Sequence, residues 1–199
     1  MPKLSLYFFP LLSFYLILLA STSVTSVDFP NTDFIKTACK STRYQQLCFQ
    51  SLSSYASSIK QDEKQLTQVA LTVSLDNAKS LSTFVSNMVK TSGLKRKEYQ
   101  ALKDCVDNLE DAVNQLTQSI EEMGRATTND FAWRMGNVQT WVSTALTNEN
   151  ICANGFSGGT MGGNVKVGVT KRVLDLSRVT SNALALVYRF VDKHKGHMP

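Results

Sequence analysis

Cys39, Cys48, Cys105 and Cys152 are the residues whose type and spacing most constrain what this chain can do. An even number of cysteines in an oxidising compartment forms disulfides rather than doing thiol chemistry. A zinc site is the competing use, but there is no Cys-x2-Cys pair and no histidine near these positions. The two histidines, His194 and His197, lie in a basic tail, Lys193 to Pro199, that is expected to fray. Their i, i+3 spacing would hold a metal only weakly, since no carboxylate precedes them to orient a ring. Asp104, Asp107, Glu110 and Asp111 make an acidic run. A catalytic pair of acids needs one member raised in pKa by burial, whereas these fall mostly off the apolar face of their helix, as a solvated surface would. No nucleophile stands beside a base and no cofactor motif is present. No catalytic residue, metal or cofactor is therefore expected, and the chemistry left is that of a binding surface.

The cysteines need a scaffold, and the periodicity supplies it. Apolar residues at Leu102, Cys105/Val106, Leu109, Ala112/Val113, Leu116, Ile120 and Met123 keep to one helical face. After a break at Gly124 to Asn129 the pattern resumes at Phe131, Met135, Val138, Trp141/Val142 and Ala145/Leu146. Helices joined this closely must lie antiparallel. That puts Cys105 opposite a residue near Asn148, with Cys152 about one turn beyond, so the two sulfurs can meet. Cys39 and Cys48 are then left to each other. On one straight helix they would stand about 13.5 Å apart, against the roughly 7 Å limit of a disulfide, so the chain must turn between them. Phe34, Ile35 and Ala38 on one side, and Tyr44, Leu47 and Leu52 on the other, read as a short helical hairpin.

A further helix follows from about Asp62, with Leu66, Val69/Ala70, Val73, Leu81, Phe84/Val85 and Met88 inward and Thr91-Ser92-Gly93 ending it. Ser51 to Ser58 is a weakly patterned link. Asn154 to Asn164, with five glycines, is a loop and no phosphate cradle, because no strand precedes it and no Gly-Lys-Ser/Thr ends it. A last helix runs from about Val167 to Val191 on Val169, Val173, Leu176, Ala183, Leu186/Val187 and Phe190. The expectation is all-α: an up-down-up-down four-helix bundle with an N-terminal α-helical hairpin and two disulfides.

Ahead of this fold, Lys3, an apolar run from Leu4 to Ala20 and the small residues Ser21 to Ser26 have the build of a secretory signal peptide, assigned to residues 1–26. A retained membrane anchor is the other use of such a stretch, but Pro10 and Ser13 interrupt it and it is short for a span. No later segment is apolar enough to cross a bilayer, so no membrane contact is expected after cleavage. The formal charge is +5, with clusters at Lys95-Arg96-Lys97, Lys171-Arg172 and Lys193-His194-Lys195. Solvated helix faces explain such clusters, and attraction to an anionic matrix is the other reading. Nucleic acid is excluded as a partner for an exported chain with no aromatic-plus-basic motif.

Four segments together resemble the plant invertase and pectin methylesterase inhibitor family. They are Cys39-x2-Thr42-x-Tyr44-x3-Cys48, Ala101-Leu102-x-Asp104-Cys105 continuing to Asp111-Ala112-Val113, Trp141-Val142-Ser143-Thr144-Ala145-Leu146-Thr147-x4-Cys152, and Asn182-Ala183-Leu184-Ala185. The resemblance spans residues 27–199 as one inhibitor domain. It implies a bundle with an N-terminal hairpin and the pairing Cys39–Cys48 and Cys105–Cys152. It also implies a secreted protein of the apoplast and cell wall that binds pectin methylesterase one-to-one across the substrate cleft. Asp107 and Asp111 match acidic positions of the family's contact surface; Asn114 and Asn154 stand where acids would be expected, and amides do not titrate. Invertase inhibitors of the family are similar but insert a Pro-Lys-Phe tripeptide, which this chain lacks, having no proline between Pro30 and Pro199. That favours pectin methylesterase, with invertase inhibition as the alternative. A structural bundle binding pectin through its basic patches is the reading from another class. Some pectin methylesterases carry a similar domain as a pro-region; a free-standing inhibitor is expected here.

Overall fold

The computed structural model describes residues 32–157 and 163–195. The N-terminal stretch read as a signal peptide, and His197, lie outside them. Two short helices, α1 (Asp33–Cys39) and α2 (Gln45–Leu52), form the N-terminal hairpin, and the Cys39–Cys48 disulfide joins them with Cα atoms 5.7 Å apart. A 3₁₀ turn, Ser53–Tyr55, and the short helix α3 (Ala56–Ile59) occupy what the pattern reads as a plain link. Ala56 and Ile59 are buried there, so two apolar anchors hold the segment although serines dilute its periodicity. Lys60 and Gln61, at φ 49° and 59°, turn the chain into the bundle.

The bundle is α4 (Glu63–Val89), α5 (Arg96–Arg125), α6 (Phe131–Gly155) and α7 (Gly163–Lys195). Asp62 caps α4 by accepting the Gln65 N–H at 2.7 Å. Gly93, at φ 86°, makes the turn into α5. Helix α4 packs on α5, α5 on α6, α6 on α7, and α7 closes back on α4, so α5 and α7 occupy diagonal corners. The hairpin lies on α7 and α4. Among the described residues there is no strand, and no helix is long and apolar enough to cross a membrane.

Four details differ from the periodicity reading. Helix α5 continues to Arg125, which moves the centre of the α5–α6 hairpin forward. Cys105 and Cys152 consequently stand side by side, with Cα atoms 4.4 Å apart in their disulfide, rather than a turn out of register. Helix α6 extends into Gly155 and α7 begins at Gly163, so the connection is shorter than its glycines suggest. On α4 the buried set includes Leu71, Leu75 and Ala78, on the flank away from Ala70 and Val73, beside which the hairpin residues Cys48, Ser51 and Leu52 lie. Lys193, His194 and Lys195 of the basic tail continue α7. Arg189 and Lys193 both pair with Glu63 of α4, and His194 stacks on Phe131 with ring centroids 3.7 Å apart.

Candidate functional site: the α5–α6 surface

Helix α5 has the sharpest division of faces in the chain. Leu102, Cys105, Leu109, Ala112 and Leu116 are buried, while Asp104, Asp107, Glu110, Asp111 and Asn114 are exposed. Steps of three, four and three put Asp104, Asp107, Asp111 and Asn114 in one outward row about 15 Å long. Among the described residues no cation pairs with any of these acids. Asp104 is held locally: it accepts from Gln100 Nε2 at 2.7 Å, and its carbonyl accepts from Asn108 Nδ2 at 2.7 Å. Asp107 and Asp111 point their charge into solvent, open to a partner.

Asn154 is not in that row. It stands exposed in the last turn of α6, beyond Cys152, and ends a stripe of its own. Gly136, Thr140, Ser143, Thr147 and Asn150 precede it at alternating steps of four and three. Thr140 and Thr147 donate their hydroxyls back to the Gly136 and Ser143 carbonyls at 2.9 Å, which turns their methyls outward. From Met135 to Ser157 the only charged residue is Glu149, and it is fully buried. The result is a smooth neutral face beside the acidic row. Trp133, 65% exposed, stands at one end and Ile151, 50% exposed, towards the other. The apolar period skips both, because it selects the buried side of the helix.

The geometry of this surface is fixed from behind. The Cys105–Cys152 disulfide ties the two helices at one end. At the other, Glu122 of α5 accepts from Arg134 at 3.1 Å and from Asn137 at 3.0 Å. Asp130 closes the turn between them, accepting the Thr127 N–H and hydroxyl at 2.7 Å and the Arg134 Nε at 2.6 Å. The Arg134 and Thr127 hydrogen bonds hold the Asp130 carboxyl well below the usual carboxylate range.

Behind the neutral face lies Glu149. Its Oε1 accepts the Thr180 hydroxyl at 2.8 Å, and its Oε2 has no hydrogen-bond partner among the described residues. Burial pushes this carboxyl up to about 8, against the opposing pull of the Thr180 and Ser177 hydroxyls. Its place in the period 138, 142, 145, 149, 152 was the signal for burial, but an acid is not counted when apolar residues are marked. A raised, buried carboxyl is a feature of acid catalysts, yet this one is sealed between α6 and α7 with no opening to a substrate. Among the described residues no cluster of His, Cys, Asp and Glu could hold a metal.

The family described as plant invertase/pectin methylesterase inhibitor matches residues 33–186. Pectinesterase inhibitor 9 of Arabidopsis thaliana is 44% identical over 188 residues, covering 92% of each chain. Pectinesterase inhibitor 11 of the same plant is 45% identical over 166 residues, covering 81% of this chain and 82% of its own. A crystal structure of a mutant form of a pectin methylesterase inhibitor from Arabidopsis shares the fold at TM-score 0.63 and 16% identity. That match covers 77% of this chain and 95% of the other.

Proposed function

The chain belongs to the plant invertase/pectin methylesterase inhibitor family, a family of inhibitors rather than enzymes, and from that premise we propose that it inhibits a pectin methylesterase. The observation that carries the target is the 44% identity, over nearly the whole chain, to a protein named for pectinesterase inhibition. We propose further that it acts one-to-one, by laying the α5–α6 surface over the enzyme's substrate cleft. The unpaired acids Asp107 and Asp111 supply directional charge, and Asn114 and Asn154 supply neutral hydrogen bonding. The flat α6 face gives close approach, and Trp133 is the exposed aromatic of the kind that dominates interface energetics. The signal-like pattern of residues 1–26 and the two disulfides support secretion into the cell wall.

The test is to titrate purified protein against a pectin methylesterase, following methanol release, and against an invertase, following glucose release. Inhibition of the first alone is expected, and inhibition of the invertase alone would sink the reading. Within the surface, Asp107→Lys with Asp111→Lys, and separately Trp133→Ala, should each weaken inhibition tenfold or more, about 1.4 kcal/mol. Unchanged inhibition by both variants would move the contact to another face.

A further inference from the structure

The α7 corner, diagonal to the acidic row, has the opposite character. Its outward stripe runs through Val167, Lys171, Leu174 and Arg178, with Val167 67% and Leu174 39% exposed. Arg172 leaves the stripe toward α4, and its guanidinium lies over the Phe84 ring, 4.2 Å from its centroid. Arg178 and Arg43 both stand over Tyr44, at 5.9 and 5.7 Å. Tyr44 is itself immobilised, because its backbone N–H and C=O both bond the Asn182 side chain, at 3.0 and 2.9 Å. One acid intrudes, Asp175, which pairs with Arg178 at 2.9 Å.

Two shallow grooves flank α7 here, of about 380 and 480 Å³, and Asp175 lines both. The smaller is lined by Lys171, Leu174 and Arg178, and the larger by Phe84, Arg172 and the hairpin residues Leu47 and Ser51. The two share Asp175 as a wall, and this open trench on the two flanks of α7 mixes guanidinium groups, an aromatic ring, exposed aliphatic side chains and hydroxyls.

We propose that this trench binds an anionic polysaccharide, a chain of uronic acids with free carboxylates. Guanidinium groups match carboxylates in shape and charge, and sugar rings present apolar faces that Val167 and Leu174 can cover. Open grooves on both flanks of one helix suit an extended polymer better than the enclosed pocket of a small molecule would. The charge pattern points the same way: the unpaired acids of α5 repel a polyanion and turn it toward the opposite corner. That the polymer is de-esterified pectin rests on the reading of the target, because hydrolysis of pectin methyl esters leaves such carboxylates. The inhibitor would then be retained where its enzyme has already worked, with the α5–α6 surface still free.

The experiment measures binding of the purified protein to immobilised polygalacturonate with no enzyme present, so its outcome is independent of inhibition. Lys171→Ala/Arg172→Ala/Arg178→Ala should weaken binding about tenfold. Arg96→Ala/Lys97→Ala, which removes a basic cluster without a trench, should weaken it by about twofold or less. Highly methyl-esterified pectin should bind about tenfold more weakly than the free acid. Lys171→Gln/Arg178→Gln, which leaves the Arg172–Phe84 contact intact, repeats the measurement should the triple variant lose helicity. The proposal is overturned by equal losses in the two basic clusters, or by equal binding of poly-glutamate of matched charge. A triple variant that also fails to join the enzyme, in sedimentation without polymer, would overturn it too, since the corner would then belong to the enzyme contact.

Discussion

Glu149 is the residue at which function and stability pull apart. A carboxyl that is 0% exposed, beside the Thr180 and Ser177 hydroxyls and with no cation paired to it among the described residues, is tolerable only while it holds its proton. Its native pKa, about 8, lies above the ordinary 4.5, so the folded chain binds this proton more tightly than the unfolded chain. The stability associated with it is complete below about pH 4.5 and is lost as pH rises through about 8. Each unit of that window corresponds to about 1.4 kcal/mol. The thermal midpoint of the wild type should therefore fall by roughly 10 °C between pH 5 and pH 8 from this residue alone. Glu149→Gln keeps an acceptor for Thr180 and cannot ionise, so its midpoint should be nearly flat over the same range. Parallel slopes for the two proteins would show that Glu149 does not carry the dependence. An acidic compartment is where this core is most stable, which fits a protein proposed to work in the cell wall.

At the scale of the element, the hairpin shows why a motif can be visible before its purpose is. Asn182 belongs to one of the segments by which the family is recognisable, but its position in the helical period gives it no role. The structure supplies one. It is buried; its Oδ1 accepts the Tyr44 N–H between α1 and α2, and its Nδ2 donates to the Tyr44 C=O, which also accepts the Cys48 N–H. Without this clasp, Cys39–Cys48 would stiffen the hairpin but leave it loosely seated on α7 and α4. Asn182→Ala should cost about 1–3 kcal/mol. More diagnostically, it should raise hydrogen exchange across residues 32–59 while leaving α5 and α6 protected. Uniform acceleration along the whole chain would mean that hairpin and bundle open as one unit.

For the molecule as a whole, the architecture was legible because four long helices each bury one stripe, and a 3.6-residue period survives substitution within that stripe. What periodicity missed follows from the same logic. Leu71 and Leu75 widen the buried stripe of α4 beyond a single line of steps of three and four, and Glu149 and Thr180 sit at inward positions but are polar. Trp133 lies on the outward side, where no period operates. Asp107 and Asp111 could be placed on a surface from sequence, but the neutral α6 face beside them emerges only when two helices are set in register. That register is a covalent matter as well as one of packing. Cys105–Cys152 spans 47 residues of sequence and Cys39–Cys48 spans 9. By the chain-entropy argument the first restrains the unfolded chain by about 4 kcal/mol and the second by about 3. Their effects on function should differ far more than that. Cys105→Ala/Cys152→Ala unties the two helices that carry the proposed enzyme contact, whereas Cys39→Ala/Cys48→Ala loosens a hairpin lying on α4 and α7. Measured at a temperature where both variants remain folded by circular dichroism, inhibition should drop sharply in the first and stay near wild type in the second. The reverse order would place the contact on the hairpin side of the bundle, and equal, full inhibition by both would mean that packing alone holds the surface in shape.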